Sequence, residues 1–524
     1  MRMYPANLVR RAAACYASHT AVWFEGREQS YAALYQRASR LAGALRTAGA
    51  SPGDAVAILS DNAFETLEQA SACALGNFAR TTLFTYNAPA VNRYLLALTG
   101  ARVLIVQARH HAAIAPLLSG LEQLAAVIVF DGEAAPGTLA YEHEIALADP
   151  HDTMEPVDPD AVHMIRFSSG TTGKPKGIFH SNARWMEYND EWRWCTPPLT
   201  ERSRYLSTTS LSHLGIAFIW GVVASGGCIV PMRAFDARMA LDLLASQRIT
   251  HAVAAPVMIR DMVKEASQRS HAPRFPGLQC MVYAGSPIAE DTLHGAIELF
   301  GSCLYQMYGQ SEVAPVTMLL PHQHVINGTE AEKRRMRSVG RATPKCRVTI
   351  RDEQGLALPV GAIGEIAADG PPMSGIWNDP EATAARFLPD GSILTRDMGY
   401  MDEDGFVYLV DRKDDMIVSG GYNLWPTEIE EAIASHPAVA EVCVFGVPHP
   451  RWGESPHAVV VLRAAAQVSA EELIAHCRAI VGGVKKVGSI EFAEDLPRTT
   501  TGKVLRHALK EPHWAGRATR VSGS

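Results

Sequence analysis

The chain has 524 residues, 47% hydrophobic and 20% charged, with 48 Lys and Arg against 55 Asp and Glu for a net charge of −7. These values fit a soluble globular protein with a large core and exclude intrinsic disorder, while the mild, evenly spread acidity excludes nucleic acid as the main partner. At roughly 150 residues per domain, the length predicts several units or one large domain with a smaller appendix. The nine cysteines are odd in number and widely separated, so no zinc ribbon or disulfide framework can be read from them. They fit small buried groups in a reducing cytoplasm. The N-terminal residues hold no apolar stretch of secretory length. The longest uncharged run, residues 215–232, is too short and too rich in glycine to span a membrane, and predicts a buried helix followed by a strand.

In chain order, Ser30 is the expected N-cap of a helix whose Leu34, Ala38, Leu41 and Leu45 recur at helical spacing, closed by Gly49. A strand at 55–59, a helix at 64–75, a strand at 103–106, a helix near 110–118 and a strand at 125–130 follow. Helix alternating with short apolar strand predicts a mostly parallel, helix-covered sheet. The alternation resumes over 161–308, with strands expected at 162–167, 249–254 and 280–284, enough for two αβ layers. From about Val339 short alternating runs at 347–351, 363–367 and 406–410, divided by Gly, Asp and Pro, predict a small antiparallel unit. Beyond the charged run after Asp411, a helix opening at Pro426, strands at 442–446 and 458–462 and a helix from Ala470 predict a compact α+β domain. The expected fold is therefore α/β: a large N-terminal domain of two αβ layers with a small antiparallel β unit, then a small mobile α+β domain.

Ser168-Ser169-Gly170-Thr171-Thr172-Gly173-Lys174-Pro175-Lys176-Gly177 directly follows a predicted strand. Small residues let backbone approach an anion, hydroxyls and amides donate to phosphate oxygens, and Lys174 and Lys176 supply positive charge. It is not a Walker loop, because two residues separate Gly170 from Gly173 and Pro175 follows Lys174. A plain solvated Gly/Ser/Thr loop is the alternative for these residues taken alone.

Five motifs in order carry a resemblance to a known family: SSGTTGKPKG at 168, YGQSE at 308, TRDMGYMDEDG at 395, DRKDDMIVSGGYNLWPTEIE at 411 and PRTTTGKVLR at 497. The chain resembles, over nearly its full length, the AMP-forming adenylate ligases, which include acyl- and aryl-CoA synthetases, peptide-synthetase adenylation domains and firefly luciferase. The resemblance implies ATP, Mg²⁺ and coenzyme A as cofactors, and domains at 1–411 and 415–524 about a hinge at 412–414, centred on Asp414. It implies that the 168–176 loop holds the ATP phosphates, with Gly285, Ser286, Pro287, Tyr308, Gly309, Gln310 and Ser311 near the adenine and the acid. Thr171 and Glu312 would hold Mg²⁺. Asp397 would accept the ribose hydroxyls and Arg412 donate to them, while Lys503 would bridge the carboxylate and the α-phosphate. His213 would stand beside the acyl carboxylate, and Gly420, Gly421 and Tyr422 would flank the pantetheine of CoA. Arg451, Lys485 and Lys486 are candidates for its diphosphate end.

A carboxylate is a poor electrophile, so activation as a mixed anhydride with AMP must come before transfer, and two anions meet only where positive charge opposes theirs. The expected function is ATP-dependent ligation of an aromatic or medium-chain acid to CoA in the cytoplasm. A carrier-protein thiol, an amine or nitrite-dependent diazotisation stands as the alternative acceptor. An ordinary ATPase or kinase and a silent paralogue are competing classes. No membrane span is expected, and a homodimer is left open. Trp185, Trp192 and Trp194, three tryptophans in ten residues, predict a helix with one aromatic face packed on the sheet or on a subunit neighbour.

Overall fold

The computed structural model describes residues 3–153, 157–168, 175–212, 214–419, 422–485, 487–498 and 504–515. By internal contacts the chain divides into two compact units, Met1–Arg347 with Ala368–Ile393, and Val348–Ala367 with Leu394–Ser524.

The first unit contains two large sheets. One has nine strands; its inner members Thr20–Phe24, Cys228–Pro231, Arg204–Ser207, His251–Ala254, Cys280–Ala284 and Leu304–Tyr308 run parallel, with antiparallel strands at the edges. The other has eight strands, parallel from Val162–Ser168 through Ala55–Leu59 to Leu139–Ala140, and antiparallel at Lys176–Ser181 and Gly375–Ile376. A single hydrophobic cluster takes Val22, Ile229 and Val253 from the first sheet and Val56, Ile58 and Val103 from the second, with helices between them. Strands buried on both faces need the near-continuous apolar runs read in the sequence, such as Ala55–Leu59, all five residues of which are buried.

Local signals act as expected. Ser30 caps the helix Tyr31–Thr47, its hydroxyl accepting from the amide of Ala33 at 3.2 Å. The run 215–232 becomes the buried helix Ile219–Ser225 and the strand Cys228–Pro231. All nine cysteines are free, and seven of them are buried. The tryptophan-rich stretch is the helix Asn182–Cys195, whose Trp185 and Trp192 are buried while Trp194 points outward. Among the described residues no helix is long and apolar enough to cross a membrane.

The second unit holds most of a four-stranded sheet, Arg347–Arg351, Gly364–Asp369, Ile393–Met401 and Val407–Arg412, and a five-stranded sheet built around Val439–His449 and Gly453–Leu462. The helices Pro426–Ala434 and Ala470–Lys485 cover the larger one. This division by contacts runs elsewhere than the expected 411/415 boundary, because the small sheet groups with the later residues.

Arg506 explains part of that cohesion. Its guanidinium lies 2.6 Å from Asp415, 2.8 Å from Glu430 and 3.6 Å from Asp411, and Asp411 in turn accepts from the amide and hydroxyl of Thr427 at 2.9 and 3.0 Å. One cation thus joins the end of the small sheet, the following turn and the Pro426 helix. Replacing it leaves three carboxylates facing one another without compensation. Arg506→Met is expected to lower the stability of this unit by about 3 kcal/mol, measured as a lower urea midpoint at unchanged slope.

Candidate active site

The parallel register Ala284↔Met307 sets the carboxyl ends of strands Cys280–Ala284 and Leu304–Tyr308 side by side, so Gly285 and Tyr308 emerge at one edge. Ligands of open α/β sheets bind at such ends, where amides and loop side chains are not used up by the ladder. Gly285 takes φ +97°, a conformation that favours glycine, and leads into Ser286 and Pro287.

Residues 308–316 form a tight reversal into the antiparallel strand Thr317–Leu319. The amide of Gln310 donates to Val313 at 2.8 Å and that of Val316 to Tyr308 at 2.9 Å. Gly309 is required by close approach, since a Cβ there would lie 2.7 Å from that of Ala314. The reversal is clamped from outside itself. The amide of Met373 donates to the carbonyl of Glu312 at 2.6 Å, and Nε2 of His180 lies 3.0 Å from the carbonyl of Ser311. Glu312 is 8% exposed, and its carboxylate has the guanidinium of Arg386 at 3.8 Å; Arg386 also donates to Gln310 Oε1 at 3.4 Å. The buried Nε of Arg386 has no hydrogen-bond partner. A hard carboxylate oxygen is the ligand type that a divalent cation carrying phosphates takes.

Sequence reasoning missed Arg386, His180 and Arg166. Arg166 is 6% exposed and lies over the rings of Trp185 and Tyr188, 5.8 and 5.9 Å from their centroids, with Nε and Nη1 lacking hydrogen-bond partners. Burial, and then the charge of Arg166, hold the His180 pKa down to about 3. His180 is therefore neutral: its Nε2–H donates to Ser311, and it fixes the reversal without acting as a base.

In the second unit, Asp397 and Arg412 are direct cross-strand partners, with Arg412 Nε 3.3 Å from Asp397 Oδ1. Asp397 is buried and its amide donates to Thr395 at 3.2 Å; Arg412 is 43% exposed along its side chain. An ion pair with one buried and one accessible member presents a fixed acceptor and a movable donor. The backbone of Asp414 lies in the short turn Lys413–Asp415, and Tyr422 is exposed in the strand Tyr422–Leu424. Lys485 is bound to Glu428 at 2.7 and 2.9 Å, which counts against its reaching for a diphosphate, whereas Arg451 lies over the Trp452 ring.

Of the predicted phosphate loop, Ser168 ends its strand paired with Lys176, whose ammonium is 3.8 Å from Asp379. Ser169, Gly170, Thr171, Thr172, Gly173 and Lys174 lie outside the described residues, as do His213, Gly420, Gly421, Lys486 and Lys503. A cavity of ≈ 580 Å³ elsewhere in the first unit, lined by Glu65, Glu68 and Glu142 among others, holds none of the motif residues. Its carboxylates suit it poorly to a polyphosphate.

A family model described as AMP-binding enzyme matches residues 9–377, and one for the AMP-binding enzyme C-terminal domain matches 428–503. The chain belongs to the AMP-binding enzyme family. This AMP-binding enzyme is 34% identical over 506 residues to a medium/long-chain-fatty-acid–CoA ligase of Mycobacterium tuberculosis, covering 93% of this chain and 86% of that one. It is also 34% identical to a feruloyl-CoA synthase of an Amycolatopsis species, covering 94% and 95%. Among solved structures, an amide bond synthetase from Marinactinospora thermotolerans superimposes with a TM-score of 0.83 at 28% identity, covering 96% of this chain and 99% of that one.

Buried histidines contribute to the loss of stability in acid. His163, packed against Trp185 and Trp220, is held at about 3 by burial and then by the charge of Arg80. Its folded pKa lies below the unfolded value near 6.5, so its contribution is complete above pH 6.5 and is lost as pH falls toward 3. The loss is about 1.4 kcal/mol per pH unit. In His163→Asn that slope disappears: urea unfolding between pH 6 and 4 is expected to show the wild-type advantage shrinking by about this amount per unit.

Proposed function

We propose that this AMP-binding enzyme is an ATP-dependent acid–CoA ligase that activates an aromatic or medium-chain carboxylic acid as acyl-AMP. The observation that carries the reading is the buried Glu312 carboxylate beside Arg386, on a clamped reversal at the carboxyl ends of parallel strands. It offers an oxygen ligand with a guanidinium 3.8 Å away. In the first step a carboxylate oxygen attacks the α-phosphorus of ATP, the bond to the bridging β-phosphate oxygen breaks, and pyrophosphate leaves. In the second the thiolate of CoA attacks the acyl carbon, the anhydride bond from that carbon to the phosphate oxygen breaks, and AMP leaves.

In this assignment Ser168, Ser169, Gly170, Thr171, Thr172, Gly173, Lys174 and Lys176 cradle the phosphates. Gly285, Ser286 and Pro287 with the 308–311 segment border adenine and acid, and the Asp397–Arg412 pair takes the ribose. Thr171 and Glu312 would hold Mg²⁺, which supplies charge neutralisation when bound. Lys503 draws the two anions together and then withdraws as residues 415–524 turn about Asp414, bringing Gly420, Gly421 and Tyr422 toward the pantetheine with His213 beside its path. The exposed Tyr422 ring is consistent with a face that meets a thin chain. Nine free cysteines support a reducing, cytoplasmic setting.

The relatives named above are CoA ligases, which supports CoA as the acceptor; the likeness to an amide bond synthetase keeps an amine as the second reading, since the same adenylate serves both. A panel of aryl and C6–C12 acids assayed for pyrophosphate release, with CoA or amines added and products weighed by mass spectrometry, tests the assignment. Absence of AMP with every acid overturns it. Lys503→Ala is expected to lose adenylation by about 10²-fold or more while retaining thioester formation from a supplied acyl adenylate; equal loss of both half-reactions would remove the role given to Lys503.

A further inference from the structure

Outside the motifs, the second unit brings together His457, Glu491 and His513, each offering one ligand atom, with all three atoms within 4.8 Å of one another. They come from three elements: strand Gly453–Leu462, strand Ser489–Phe492, which pairs parallel to it with Val459 opposite Glu491, and helix Arg506–Trp514. His457 is 7% exposed. Its Nδ1 is 2.7 Å from the hydroxyl of Ser489, while its buried Nε2 has no hydrogen-bond partner, the nearest acid oxygen being Glu491 Oε2 at 3.8 Å. At that separation no hydrogen bond forms. A buried nitrogen left unmet destabilises the fold, and a cation at this point would satisfy it.

The surroundings resemble a prepared ligand set. The hydroxyl of Ser489 is placed to accept Nδ1–H, the outer contact that fixes the tautomer and leaves the Nε2 lone pair free for a metal. The two imidazoles stand 4.9 Å apart by their centroids, and Phe445 packs on both at 5.3 and 5.5 Å. Trp514 Nε1 donates to Gly446 at 3.0 Å, which pins the helix that carries His513.

We propose that His457, Glu491 and His513 form a binding site for a divalent transition metal of the zinc class. Two imidazoles and a carboxylate are a zinc donor set with a fourth position left for water, whereas magnesium and calcium prefer oxygen ligands throughout. Zinc-to-ligand distances of about 2.0–2.2 Å require the exposed Glu491 and His513 side chains to close on the fixed His457. The site sits where the chain enters and leaves the Lys503 segment: Glu491 lies before it, His513 after it, and the bridge between Arg498 and Val504 closes its base. A bound metal therefore ties the strand before residues 499–503 and the helix after them to the strand Gly453–Leu462.

The test uses the full-length chain stripped with EDTA and titrated with ZnCl₂ by calorimetry and with CoCl₂ by visible absorption. One saturable site of micromolar or tighter affinity is expected, weakened at least tenfold in both His513→Ala and Glu491→Gln. A zinc-dependent rise in Tm of about 2–4 °C is expected in the wild type and absent from the variants. Both variants alter exposed side chains, so folding is checked by their Tm without metal. No saturable binding, or isotherms that His513→Ala leaves unchanged, would overturn the proposal.

Discussion

Parallel strands cannot be joined by tight hairpins, and the chain must cross back, usually through a helix, so that each next strand starts at the same end of the sheet. That constraint gathers the loops following successive strands at one edge. In this chain the register of Ala284 against Met307 brings Gly285 and Tyr308 together although 23 residues separate them. The proposed catalytic assignment depends on this edge, because backbone polarity at strand ends remains free for a ligand.

What stands at that edge is rigid for reasons that lie below it. The reversal through Glu312 has no helical or strand ladder of its own, so its carbonyls are met from the side by His180 and Met373. Meeting them with a neutral histidine avoids burying another charge beside Arg166. The arginines themselves are eased differently: Arg166 rests over two aromatic rings, and Arg386 donates to Gln310 with the Glu312 carboxylate 3.8 Å away. The second unit uses the same device at larger scale, with Arg506 serving three carboxylates at once.

These features divide by how far apart their parts lie in the chain. The Ser30 cap, the Pro426 helix and the buried run 215–232 depend on neighbours within a few residues, so their patterns were open to reading. The motif residues were legible for another reason: their resemblance to a family carried roles that spacing alone leaves open, as for Asp397 beside Arg412. His180 is 131 residues from Ser311 and Arg386 is 76 from Gln310, and no local pattern marks either one. The small antiparallel sheet was recognised as a unit, yet its grouping with the later residues follows from contacts such as Arg506 to Asp411, 95 positions apart.

The sequence by itself determined the class of fold, the order of its elements and the family to which it belongs, because hydrophobic period, caps and motifs are properties of short stretches. The tertiary structure alone decided which charges are buried, which are paired and which histidines stay neutral. Those outcomes depend on desolvation and on partners brought close by folding, and neither quantity exists along an extended chain.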